Sequence, residues 1–400
     1  MKIKQIRVSY AQAVHDKKEE KRVLSILREH RTMMGKETEE FEKRVAKINA
    51  KKYGVMVNSG SSANLTAIEI LKLPKGSEAI TPLLTFSTTV APLVQKGLVP
   101  VFVDVEEGTY NINVEKIESL ITKKTKLLMI PLLLGNVPNL DKLSKLARKY
   151  KLILLEDSCD TLGAKYNNRP TGSYTDITTT SFYGSHIITA GGGGGMIMIN
   201  NKSLYRTAKV LRAWGRDSSL FRESESIAKR YANKLGGIQY DAKFIYSEIG
   251  YNFLPTEISA AFGNAQLDKL ETFRKSRMKN FETLLKFFKQ YEELFILPVQ
   301  DEKVETQWLA FPLTLRKKTP FNRLKLVTFL EKHNIQTRPI FSGNILTQPA
   351  FANIPHKIRG EYKITEEVMR GGVLVGCHHG LKKAHIDRIK EVFDKFIKKN

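Results

Sequence analysis

Four hundred residues, 42% hydrophobic and 26% charged, suit a folded chain of roughly two or three domains. They exclude disorder and collagen-like repetition, and two cysteines, Cys159 and Cys377, are too few for a disulfide scaffold or a metal cluster. The net charge of +24 invites a nucleic-acid reading, but its lysines are scattered (Lys17-Lys18, Lys123-Lys124, Lys317-Lys318, Lys398-Lys399), which argues against nucleic acid and for steering of anionic small molecules.

From the amino terminus, Met1 to Arg7 lack a signal-peptide core, and no run reaches the ~18 apolar residues of a membrane span; no membrane partner and a cytoplasmic location are expected. Helices are expected from Lys17 to His30 and from Glu37 to Asn49. A short strand, Val55 to Val57, then leads into Ser59-Gly60-Ser61-Ser62-Ala63-Asn64 and an apolar helix to Leu71. Strand, glycine turn and helix start make either a serine-capped helix or an anion site, because the first N–H groups of a helix lack internal partners.

Strands at Ala79 to Thr81, Leu98 to Asp104, Lys126 to Pro131 and Lys151 to Glu156 alternate with helices at Thr89 to Lys96, Val114 to Ile121 and Asn139 to Tyr150. That alternation predicts a largely parallel sheet covered on both faces, with ligands at the strand carboxyl ends. Phe86, Asp157 and Ser181 all fall at such ends. Asp157 follows a strand that reads as buried, where a carboxylate needs a partner, so a nearby cation is expected unless it merely caps a turn.

The stretch Ser181-Phe182-Tyr183-Gly184-Ser185-His186 runs on through glycines 191 to 195 into Met196-Ile197-Met198-Ile199. A serine five residues before a basic side chain, then glycines and a strand, resembles the cofactor-anchoring segment of the DegT/DnrJ/EryC1/StrS sugar aminotransferases. In that family the basic residue is a lysine, whose primary amine ties pyridoxal phosphate (PLP) covalently. Here it is His186, which marks the branch of nucleotide-4-keto-6-deoxysugar 3-dehydratases. The glycines do not form a G-x-G-x-x-G loop before a helix, and they read as a tight bend.

The resemblance implies an α/β fold of the fold-type I PLP-dependent transferases: a large, mainly parallel domain over residues 1–265 and a smaller α/β domain over 266–400. It implies PLP or pyridoxamine phosphate (PMP) as cofactor, held by Gly60, Ser61 and Ser62 at the phosphate, Phe86 on the ring face, Asp157 at the ring nitrogen, and Asp160 and Ser181 close by. His186 is the implied base, Arg338 and Asn344 enter the substrate pocket, and Asn252 reaches the cofactor phosphate of a second subunit in a homodimer. The implied substrates are a nucleotide-4-keto-6-deoxyhexose and L-glutamate. Four thiolates would be needed for the iron-sulfur cluster of the other 3-dehydratases, which favours the cluster-free, colitose-type group. The alternatives are a PMP-dependent dehydratase working with a separate reductase and an aminotransferase-fold protein without activity.

The rest reads as follows: an irregular stretch over 216–250, a long helical run from Glu257 to about Tyr291, strand Trp308 to Leu315, helix Arg323 to His333, strands Ile335 to Arg338 and Val373 to Gly376, and a final helix Ala384 to Lys398. His378 and His379 lack partners at metal-ligand spacing and read as structural.

Overall fold

The computed structural model describes residues 6–221 and 225–400. Its largest sheet has eight strands in the order Tyr53–Val57, Gly195–Ile199, Ile177–Ser181, Ile153–Ser158, Thr125–Pro131, Glu78–Pro82, Val99–Val103 and Lys357–Ile358. Gly195–Ile199 is antiparallel to both neighbours, and the other adjacent pairs are parallel. Side chains alternate across the sheet, so Leu127, Met129 and Leu155 pack with Ala63, Ala67 and Leu211 on one face. Leu128, Ile130 and Leu154 pack with Leu140, Leu143 and Leu146 on the other. Burial on both faces explains why these strands read as continuous apolar runs.

The smaller unit is a three-stranded antiparallel sheet, Phe295–Ile296, Phe311–Leu315 and Gly372–Val375, backed by helices Leu270–Phe288, Arg323–Lys332 and Lys383–Ile397. Phe281, Phe288, Trp308, Phe311 and Phe393 fill its core. Two segments cross a division at 265/266. Val8 lies in this core and bridges to Ile335, while Lys357–Ile358 adds the outermost strand of the large sheet.

Three expected elements differ. Val114 to Ile121 is two 3-10 turns, Val114–Lys116 and Glu118–Leu120, rather than an α-helix. Val114, Ile117 and Leu120 are the buried residues, and their spacing of three suits three residues per turn. The run from Glu257 breaks into Glu257–Leu267 and Leu270–Phe288, because its first half packs on the amino-terminal helices and its second on the small core. Ile335 to Arg338 makes only isolated bridges, Val8 to Ile335 and Arg338 to Leu374.

Glu257 ties the start of helix Lys36–Ile48 to helix Glu257–Leu267. Its buried carboxylate accepts from the N–H groups of Gly35 (2.6 Å), Glu37 (2.6 Å) and Thr38 (3.2 Å) and from the Thr38 hydroxyl (2.7 Å), capping helix Lys36–Ile48 at its positive end.

Candidate active site

The carboxyl ends of the central strands open into a cavity of about 920 Å³, roofed by residues of the smaller unit such as Arg338, Phe341 and Phe351. Asp157 lies on its floor, 5% exposed. Oδ2 accepts from Asn64 Nδ2 and Thr89 Oγ1, both at 2.8 Å, and Oδ1 accepts from the Cys159 N–H at 3.2 Å. The cation expected beside this carboxylate is absent among the described residues. Asn64 is itself oriented by Thr179, whose hydroxyl donates to Asn64 Oδ1 at 2.6 Å.

Next to it, helix Gly60–Glu69 begins at the cavity wall. Ser59 caps it by accepting from the Ser62 N–H at 3.1 Å, and Ser59, Gly60 and Ser61 line the cavity. A methyl group on Gly60 would lie 2.6 Å from Ser181 Cβ and 2.8 Å from Cys159 Sγ, so only glycine fits between them. The Ser61 hydroxyl donates to Thr88. Ser62 is placed differently: its hydroxyl donates to Asn58 Oδ1 at 2.7 Å and the residue does not line the cavity.

His186 enters from the loop after strand Ile177–Ser181. Phe182, Ile187, Ile188 and Ala190 are buried on either side of it and pin the loop, with Phe182 edge-on to Phe41 at 4.7 Å. Gly191, Gly192 and Gly194, at φ +73°, +107° and +137°, let the chain double back into strand Gly195–Ile199. The imidazole faces the cavity, with Nε2 3.9 Å from Asp160 Oδ1 and no hydrogen-bond partner at Nδ1. Burial pushes its pKa down to about 4; the Ser181 main chain and then the Asp157 charge oppose the shift, and Arg277 adds to it. Asp160 is pushed the other way, up to about 7, by burial, with the Leu134 N–H opposing and the Asp157 charge adding to the rise. That N–H reaches Asp160 Oδ2 at 3.0 Å from a leucine in the left-handed region, at φ +59°. A neutral base thus faces a carboxyl that is still partly protonated near neutrality.

Phe86, 52% exposed at the cavity wall, and Ser181 also line the cavity. Arg338 lines it as well, its guanidinium over the Tyr10 ring at 5.7 Å. Asn344 does not. Its amide donates to Glu366, its Oδ1 accepts from the Leu346 N–H, and its side chain serves the fold. Asn252 is exposed and also lies outside the cavity of its own chain. His378 and His379 are taken up by Ser9 and Arg277. Sequence reasoning passed over Tyr10, Thr89, Leu134 and Arg277, which reach the site only through tertiary packing.

A model of the DegT/DnrJ/EryC1/StrS aminotransferase family matches residues 14–394. The chain belongs to that family. Among its relatives, the GDP-4-keto-6-deoxy-D-mannose 3-dehydratase of Escherichia coli O55:H7 is 34% identical over 394 residues, covering 96% of this chain and 98% of that protein. The lipopolysaccharide biosynthesis protein RfbH of Salmonella typhimurium is 38% identical over 374 residues, 91% of this chain and 85% of that one. The solved structure of E. coli GDP-4-keto-6-deoxy-D-mannose-3-dehydratase with bound hydrated PLP is similar at a TM-score of 0.86 and 33% identity, covering 97% of this chain and 100% of the other.

The cavity of this DegT/DnrJ/EryC1/StrS protein fits PLP or PMP. Asp157, surrounded by neutral donors, lacks the cation that a protonated pyridine nitrogen would supply, and the glycine-lined helix start suits a phosphate. No lysine lines the cavity among the described residues, so the covalent amine link has no donor there.

The raised Asp160 pKa has a measurable consequence. Below its ordinary value of 3.8, folded and unfolded chains both hold the proton and the effect vanishes. As pH rises towards about 7 only the unfolded chain ionises, so the folded state loses stability over that window. Asp160→Asn removes this penalty while the amide oxygen, placed where Oδ2 lies, can accept from the Leu134 N–H. Urea unfolding of the protein without cofactor should show the variant gaining on the wild type between about pH 4.5 and pH 7.5; a pH-independent gap would refute the assignment.

Proposed function

We propose that this protein is a PLP/PMP-dependent 3-dehydratase that removes the C3 hydroxyl of a nucleotide-activated 4-keto-6-deoxyhexose, with L-glutamate as amine donor and ammonia as a product. The observation that carries the reading is an imidazole, His186, in a B6-type cavity that no lysine lines among the described residues. The relatives support it. One solved neighbour, at 33% identity and a TM-score of 0.86, is described as GDP-4-keto-6-deoxymannose-3-dehydratase with a trapped PLP-glutamate geminal diamine.

Bound PLP or PMP would carry the amino group between glutamate and the sugar ketone and act as an electron sink. The chain's residues do the rest. Asp157 would hold the ring nitrogen protonated, the helix start at Gly60 and Ser61 would take the phosphate, and Phe86 would cover a ring face. His186, held neutral, accepts a proton at Nε2 while the C3–O bond breaks; Asp160, still partly protonated near neutrality, faces it as a proton source for the departing hydroxyl. The electron balance closes without an outside reductant. The two electrons taken from glutamate, which becomes 2-oxoglutarate, reduce C3 as its hydroxyl leaves. Arg338 at the cavity wall is suited to a carboxylate or diphosphate through its planar fork.

The working form in this reading is a cytoplasmic homodimer with shared sites. Ile227, Ile238, Phe244, Tyr246 and Ile249 leave an exposed apolar band, the last 95% exposed, just before the exposed Asn252. A second copy covering that band would bring Asn252 to the partner's cofactor phosphate. Sedimentation should give about twice the 45.5 kDa chain mass, and a monomer at assay concentration would remove the shared-site reading.

The enzymatic claim is tested by mass spectrometry. With glutamate, PLP and a panel of nucleotide-4-keto-6-deoxyhexoses, one substrate should lose a single oxygen and release ammonia in equal amount. His186→Asn should bind cofactor yet lose that activity by at least about 10³-fold. Amine transfer to C4 without loss of oxygen would identify an aminotransferase instead.

A further inference from the structure

Arg277, on helix Leu270–Phe288, is 1% exposed, and no carboxylate lies within salt-bridge distance of it among the described residues. The contrast with the other buried arginine is informative: Arg212, 4% exposed, pairs with Glu42 at 2.7 Å. An uncompensated guanidinium in a protein interior is costly, and a neutral side chain could join the same segments for less. Burial draws its pKa down to about 10, so it stays charged at neutrality.

Each Arg277 acceptor is an uncharged group, and the four come from three segments. Nη2 donates to the His186 carbonyl at 3.3 Å. Nη1 donates to the carbonyls of Trp308 (3.3 Å) and Leu309 (3.0 Å), and Nε donates to His379 Nδ1 at 3.2 Å. His379 is stacked on Phe273 of the same helix at 3.8 Å, and burial holds its pKa far below the ordinary value, so it remains a neutral acceptor. From Leu309 the connection continues. The Leu309 N–H donates to the Leu134 carbonyl at 2.7 Å, and the Leu134 N–H donates to Asp160 Oδ2 at 3.0 Å. One guanidinium therefore anchors His186 directly and Asp160 through two residues, Leu309 and Leu134, and these are the side chains that face each other at 3.9 Å.

We propose that Arg277 is a positioning residue for the dehydration: from the smaller unit it sets His186 against Asp160, and its unpaired positive charge disfavours a second positive charge on that imidazole. The proposal rests on the reading of His186 as the base. Other charged or titratable groups face His186 as well. Asp157 and Asp160 come from the end of strand Ile153–Ser158, and Tyr183 from its own loop with rings 5.8 Å apart, while Arg338, Tyr10 and Cys159 line the same cavity. Of these, Arg277 and Arg338 are the cations, and Arg277 is the one bonded to the His186 main chain. A role limited to joining segments would lower stability when lost but leave the ionisation of His186 in place.

The test uses full-length protein labelled at histidine Cε1, with His186→Asn assigning the resonance, titrated with and without PLP. Arg277→Met should raise the His186 midpoint by a resolvable fraction of a unit and lower turnover on the order of 10²-fold, with KM for the sugar within about threefold. Arg277→Lys keeps the charge but not the fork, so its midpoint should stay near that of the wild type while turnover still falls. Folded Arg277→Met with the wild-type midpoint and turnover overturns the proposal. If the methionine variant does not fold, Arg277→Lys with undiminished turnover does so. The titration needs no substrate, so a shifted midpoint in a protein that dehydrates none of the tested sugars would keep the clamp and reject the proposed function.

Discussion

Asp157 lies at the bottom of the cavity and, among the described residues, accepts hydrogen bonds from neutral groups, the Asn64 amide, the Thr89 hydroxyl and the Cys159 N–H. A buried carboxylate in that setting calls for positive charge that no described residue brings to it, and a protonated pyridine ring meets the requirement. The neighbouring features answer the rest of the same ligand: a helix start for its phosphate, an exposed Phe86 for its face, and a gap at Gly60 that no larger residue could occupy.

What distinguishes this site from that of a lysine-bearing aminotransferase is the group opposite Asp160. An imidazole cannot hold the cofactor covalently, and its burial keeps it unprotonated at neutrality. Burial acts in the opposite sense on the carboxyl facing it, so a single environment separates a base from an acid. The arrangement is kept in place by the smaller unit, whose Arg277 and Leu309 reach across to the loops of the large sheet while His379 holds the guanidinium from behind. The two units therefore meet at the reacting groups.

Much of this was legible in the sequence where the signal is local. Ser59-Gly60-Ser61, Asp157 and Ser181 to His186 are short contiguous motifs at strand ends, and all line the cavity apart from buried Phe182 and Gly184. The parallel sheet followed from alternating apolar runs, although the 3-10 turns at 114–120 were hidden because i, i+3 spacing also fits an α-helix. Residues whose roles arise from distant packing were not legible. Arg277 reads as one more basic residue on an amphipathic helix, and Leu134 as an ordinary apolar residue. Asn344 shows the converse failure: it sits beside a cavity-lining segment, but its side chain turns to Glu366.

The central claim, a B6 cofactor held without a lysine, is tested most directly by borohydride treatment of the PLP-loaded protein followed by peptide mass spectrometry. The account predicts no phosphopyridoxyl group on any lysine of the wild-type chain, with PLP recovered intact on unfolding. A modified lysine in a cavity peptide, at stoichiometric yield, would contradict it.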